Sequence, residues 1–271
     1  MKKLKKKKYK IKWHNIITLL TILICLYMLV YSIIQINNWY QDTKKTDELM
    51  NLIIDNTKIL EINDDKEEII KDNPKERANT NLFDVDLEEL KLINKDTIGW
   101  IIVNGTNINY PFVKHTNNEY YLTHSFDKSY NKAGWIFLDY RNNINILDKN
   151  TIIYAHGRVG NKMFGTLRTI LESNWYLDEN NYYIKLSWEK ENMLFQVFSL
   201  YKIKNTNDYL QIKFQNDIEF INFINKLKER SFYSFNTNLN QNDKIITLST
   251  CYNKDYKVVM HAKLIKKESF N

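Results

Sequence analysis

The chain opens with one unbroken apolar run. Ile16 to Ile34 (IITLLTILICLYMLVYSII) holds nineteen residues with no charge, Pro or Gly. About 20 apolar residues span a bilayer core, so the run predicts a transmembrane helix over 16–36. Trp39 and Tyr40 follow where an interfacial aromatic belt would lie. A cleaved leader would have an apolar region of ~7–15 residues ending in a small-residue site, and SIIQINNWYQD has none. Residues 37–81 turn polar and charged. The helical apolar spacing of LMNLIIDNTKIL (49–60) predicts a helical stalk there, and KDNPKERANTN (71–81) a linker in which Pro74 stops any helix.

From residue 82 the pattern is that of a folded domain ending at 271. Residues 84–93 predict a short helix with an acidic first turn, which suits the helix dipole. After Gly99 come short β-rich runs: WIIV (100–103), INYPFV (108–113), GWIFLDY (134–140), NTIIYAH (150–156), YYIKL (182–186), MLFQVFSL (193–200), KIITLST (244–250) and KVVMHAKLI (257–265). Eight short strands with turn-like spacers predict a mainly β domain closed, or nearly closed, into a barrel. One helix interrupts them over 217–230, with Ile218, Phe220, Ile221, Ile224 and Leu227 as its apolar stripe. A shorter one covers MFGTLRTILES (163–173).

Charge changes the picture once it is located. The formal net charge of +7 suggests nucleic acid, but residues 1–36 carry eight lysines and no acid, which leaves 31 basic against 32 acidic residues beyond them. The basicity is a terminal tag, not a phosphate-binding face, so no nucleic-acid partner is expected. Positive residues stay on the cytoplasmic side. A cytoplasmic tail (1–15), a lipid-bilayer anchor and an exported domain follow as the expected topology. Cys25 lies in the apolar run and Cys251 in the exported part, so no disulfide framework is present. No metal-ligand cluster stands out, and no cofactor is expected.

Most free cysteines are small buried apolar residues. A free thiol outside the cell is also an oxidation liability, so Cys251, at the end of TLSTC, stands out. His156 ends another strand ahead of a Gly-containing turn. Strand ends can meet in a barrel. A thiol of pKa ~8.5 beside an imidazole of pKa ~6.5 can then give thiolate and imidazolium, a nucleophile and an acid. Attack on a carbonyl further requires a donor for the oxyanion.

Thr247-Leu248-Ser249-Thr250-Cys251 resembles the TLxTC motif of sortases. NTIIYAHG (150–157) followed by MFGTL (163–167) resembles the histidine tract of class B sortases, and GWIFLDYR (134–141) and VVMHAKL (258–264) are similar to that class too. The resemblance runs in the expected order from about residue 84 to 265. It implies an eight-stranded β-barrel with N-terminal helices and a helix before the nucleophile's strand. It also implies a cysteine transpeptidase. Cys251 would attack the carbonyl after a Thr in a C-terminal sorting signal of a surface protein and form a thioester. An amine of a peptidoglycan precursor or cross-bridge, or a pilin lysine, would resolve it. His156 would protonate the leaving amine and deprotonate the incoming one.

The family's third catalytic residue is an arginine on the next strand. Counted back from VVMHAKL, the matching position is Lys257, and no arginine follows Arg230. Arg141 and Arg158 are the substitutes to consider. Asn118 and Leu122 (NEYYL), together with Ser249, match residues of the class B peptide groove, and the helix over 217–230 is similar to the one that walls it. L,D-transpeptidases place Ser-His-Gly before their cysteine, whereas Leu-Ser-Thr precedes Cys251 here. Lys257 keeps one alternative open, a degenerate sortase-like module that binds sorting peptides with little or no turnover.

Overall fold

A computed structural model describes residues 12–62, 80–158, 160–189 and 191–269. Most of the basic tail and, apart from residues 80 and 81, the linker with Pro74 lie outside the described residues. The chain divides into two compact units, residues 1–45 and 46–271. Helix α1 (Trp13–Asn56) begins in the first. From Ile16 to Ile36 its large apolar side chains are exposed on every side, unlike an amphipathic helix, which hides a stripe. The helix is long and apolar enough to cross a membrane.

In the second unit the same helix becomes two-faced. Met50 and Ile53 are buried, Asn131 Nδ2 donates to Thr46 Oγ1 at 3.1 Å, and Asp47 pairs with Lys162. Residues 46–56, expected as stalk, thus pack into the domain. The chain then leaves the helix, and β1 (Ile59–Ile62) pairs antiparallel with β2 (Leu82–Val85). No local periodicity announces this pair, because its partners are distant in sequence. Helix α2 (Leu87–Ile93) starts later than its acidic pattern suggests, since β2 takes residues 82–85. Asp86 caps it by accepting from the Glu88 amide at 3.0 Å.

All eight expected strands form: β3 (Thr97–Val103), β4 (Asn109–Lys114), β5 (Phe137–Leu138), β6 (Asn150–Tyr154), β7 (Tyr183–Trp188), β8 (Glu191–Lys204), β9 (Ile245–Cys251) and β10 (Tyr256–Ser269). They close into a barrel in the order β10-β8-β7-β3-β4-β5-β6-β9. The β4–β5 and β6–β9 pairs are parallel, the others antiparallel. β5 is shorter than its apolar run, because Asp139 turns the chain and takes the Asn142 amide onto its carbonyl. β8 and β10 are longer, pairing through polar ends that no apolar pattern marks.

Helix α3 (Gly165–Ile170) is shorter than expected, and Ser173 caps a separate 3₁₀ turn after it. Helix α4 (Asp217–Glu229) is capped by Asn216. Its buried face is Phe220, Phe223, Ile224 and Leu227, while Ile218 is exposed. At 3.6 residues per turn, Ile218 stands nearly opposite Phe220, so Phe223 and not Ile218 completes the stripe. α4 lies over the outer face of β8, β9 and β10, packing on Phe198, Ile245 and Val259. Ile246 and Leu248 of β9 point into the barrel core. Cover on both faces buries β9 from Ile245 to Thr250, its hydroxyl residues included.

Candidate active site

β6 and β9 run parallel with Tyr154 beside Ser249, so the chain beyond them carries His156 and Cys251 to the same rim. The rim is tight. A Cβ on Gly157 would stand 2.8 Å from the Cys251 carbonyl oxygen, so only glycine permits this approach. Across the β9–β10 turn, Cys251 pairs in register with Lys257. Opposed residues of an antiparallel pair share a face, with Cβ atoms ~4.5–5.5 Å apart. A cavity of about 340 Å³ opens here, and all six expected residues line it: Asn118, Leu122, His156, Ser249, Cys251 and Lys257.

His156 Nε2 lies 2.8 Å from the Leu122 carbonyl. A carbonyl only accepts, so Nε2 carries a proton, and Nδ1 has no hydrogen-bond partner among the described residues. Gly134, at φ +63°, backs the ring, since a Cβ there would meet His156 Cδ2 at 3.0 Å and the Tyr121 carbonyl at 2.5 Å. Asn118 Oδ1 accepts from the Tyr140 amide at 2.9 Å, which leaves its NH₂ for a ligand. Ser249 Oγ and the Tyr209 hydroxyl are 2.9 Å apart. Cys251 is exposed, and among the described residues no hydrogen bond joins it to His156. Lys257 is half-buried, and its ammonium has no hydrogen bond or ion pair among the described residues. Among the described residues no acid lines the cavity. The Tyr252 amide, next after the thiol, already donates to the Tyr256 carbonyl at 2.8 Å.

The sortase-domain family model matches residues 101–265. Sortase B of Listeria monocytogenes is 35% identical over 188 residues, covering 67% of this chain and 75% of its own. The chain belongs to the sortase family, class B. A Staphylococcus aureus sortase B–substrate complex is similar at 35% identity and a TM-score of 0.62, over 66% of this chain and 84% of that one. A sortase B complexed with triglycine is similar at 35% identity and a TM-score of 0.63, over 66% and 85%. Sortases are cysteine transpeptidases that anchor surface proteins to the cell wall of Gram-positive bacteria.

In this sortase the cavity walls are held from behind. Asp139, fully buried, takes a two-pronged ion pair from Arg141 (2.9 and 2.7 Å) and a hydrogen bond from the Tyr154 hydroxyl (2.9 Å). Burial would raise the Asp139 carboxyl, but these donors outweigh it and hold its pKa below the ordinary value. Burial and then the Asp139 charge push the Tyr154 phenol up, so it stays a donor. Arg141 also donates to the Leu210 carbonyl at 3.2 Å. Tyr154 and Leu210 thereby stand fixed in the cavity wall. Neither Arg141 nor Arg158 lines the cavity, and no residue of α4 does. The wall on that side comes from the segment before α4.

Arg168 of α3 is the supporting residue that sequence reasoning missed. Its Nη1 donates to the Tyr252 carbonyl at 3.3 Å, and its Nε lies 3.3 Å from where a Gly157 Cβ would be. The Tyr252 hydroxyl reaches Glu172 at 3.4 Å, and the Lys202 ammonium sits 4.5 Å over the Tyr252 ring. These contacts pin the turn that opposes Cys251 and Lys257. Its place inside MFGTLR was the one available signal, and that tract was read for its helix. Among the described residues no cluster of three or more His, Cys, Asp or Glu could hold a metal.

Proposed function

We propose that this sortase is anchored by α1 with its N-terminus in the cytoplasm and its barrel outside the cell. It joins surface proteins bearing a C-terminal sorting signal to a cell-wall or pilin amine. The Cys251 thiolate attacks the carbonyl after the motif's Thr. The Lys257 ammonium stabilises the oxyanion, and His156 protonates the leaving amine through Nδ1. Water or an amine, deprotonated by the now neutral His156, resolves the thioester. Asn118, Leu122 and Ser249 contact the peptide.

The register that sets Lys257 opposite Cys251, in one cavity with His156, carries this reading. The engaged Tyr252 amide supports it, because a backbone donor is then missing where Lys257 stands. The eight lysines before the apolar run support the topology. The relatives described with a substrate and with triglycine support a peptide donor and an amine acceptor.

The test uses the full-length chain in detergent micelles and a fluorogenic peptide library with one fixed Thr and varied neighbours. Cleavage of at least one member, lost in Cys251→Ala, is the expected result. Lysine in place of arginine favours a second reading, peptide capture without turnover. Binding of a library member with no thioester detectable by mass spectrometry would establish that reading instead.

A further inference from the structure

We propose that Lys257 is also an acyl acceptor: when no external amine is at hand, the sortase transfers the peptide from Cys251 to its own lysine. This rests on the reading above, in which Cys251 carries a thioester. Lys257 is the cross-strand partner of Cys251 and lines the same cavity. No acid neutralises its ammonium and no hydrogen bond ties it elsewhere among the described residues. A lysine stem is long and flexible, and its nitrogen can become a nucleophile by losing a proton, which a guanidinium does not do. The chemistry is that of the family's second step, with the amine held in place. An oriented intramolecular amine acts at a high effective concentration.

The step balances without any added reagent. His156, neutral after protonating the leaving amine, takes one proton from the Lys257 ammonium. The free amine attacks the thioester carbonyl and a C–N bond forms. The tetrahedral centre collapses, the C–S bond breaks, and the second nitrogen proton passes to the departing Cys251 sulfur. The products are an amide on Lys257, a free Cys251 thiol and a protonated His156.

The experiment incubates the full-length chain in micelles with the best-cleaved library peptide and no acceptor amine, then treats it with hydroxylamine. Hydroxylamine removes a thioester and leaves an amide. The expected result is a stable one-to-one adduct, found by tandem mass spectrometry on Lys257 within the tryptic peptide Asp255–Lys263. Cys251 is then again open to alkylation by iodoacetamide. Triglycine competes for the same thioester, so the stable adduct should fall as its concentration rises. In Lys257→Arg every adduct should be hydroxylamine-labile. A wild-type adduct that is wholly labile, or stable only on other lysines, overturns the proposal and leaves the enzyme reading intact. A chain that forms no thioester with any peptide overturns both.

Discussion

His156 and His261 both lie against β9, and they differ in how many of their nitrogens are occupied. His261 is fully buried, opposite Thr247. The Thr247 hydroxyl donates to Asn150 Oδ1 at 2.7 Å, so it must accept from His261 Nδ1–H at 2.9 Å. His261 Nε2 then accepts from the Tyr201 hydroxyl at 2.9 Å. Every group in this chain from β6 through β9 and β10 to β8 has a partner, and the ring is held neutral. Burial, and then the charge of Arg230, push its pKa down to about 3. Among the described residues His156 bonds only to the Leu122 carbonyl, and it faces a cavity. A satisfied buried network locks strands together. An imidazole with one nitrogen left over can exchange a proton. The same residue type thus serves register in the middle of β9 and is available for chemistry at its end.

Five measurements would break or sharpen this contrast. His156→Ala should lower kcat by about 10²–10⁴-fold, the range for a lost general acid–base, with melting temperature nearly unchanged. Lys257→Ala should lower kcat by about 10²–10³-fold, as for loss of one oxyanion donor. An unchanged kcat in either variant would remove that residue from the reaction.

His261→Ala should act the other way, costing about 2–4 kcal/mol in denaturant unfolding through stranded polar partners and a cavity. Its kcat at low temperature should hold. His261 also sets a pH dependence. The folded state keeps it neutral to about pH 3, while the unfolded chain protonates it near 6.5. Between those values the unfolded state holds more protons. Stability is therefore complete above about pH 6.5 and falls on acidification by up to about 1.4 kcal/mol per pH unit. Melting curves of wild type and His261→Gln across that window should diverge. Parallel curves would mean that burial does not hold the ring neutral. The smallest effect is expected for Arg168→Ala. Loosening the turn beyond Cys251 should cut kcat about tenfold with little change in KM, and Arg168→Lys should recover part of it.

The strands were legible because inward and outward positions are written locally, in runs such as NTIIYAH and KVVMHAKL. The cavity residues Asn118, Leu122, His156, Ser249, Cys251 and Lys257 were legible through motifs in order, and the structure brings them together. Leu210 was not. It reaches the wall only because Arg141 and Asn150 hold the carbonyls around it from far along the chain. Arg168 was not, since its role depends on a turn more than 80 residues away. Ile218 was misread because a stripe drawn from apolar residues alone ignores which side the barrel lies on.

The sequence by itself determined the apolar run long enough for a membrane, the eight strands, the family and the lysine where an arginine was expected. Those features are local, carried by residue type and spacing. Only the tertiary structure decided that Lys257 faces Cys251, that His156 keeps a free nitrogen while His261 keeps none, and that α4 covers the barrel without entering the cavity. Strand order and register come from pairings between distant residues, and no short window of sequence contains both partners.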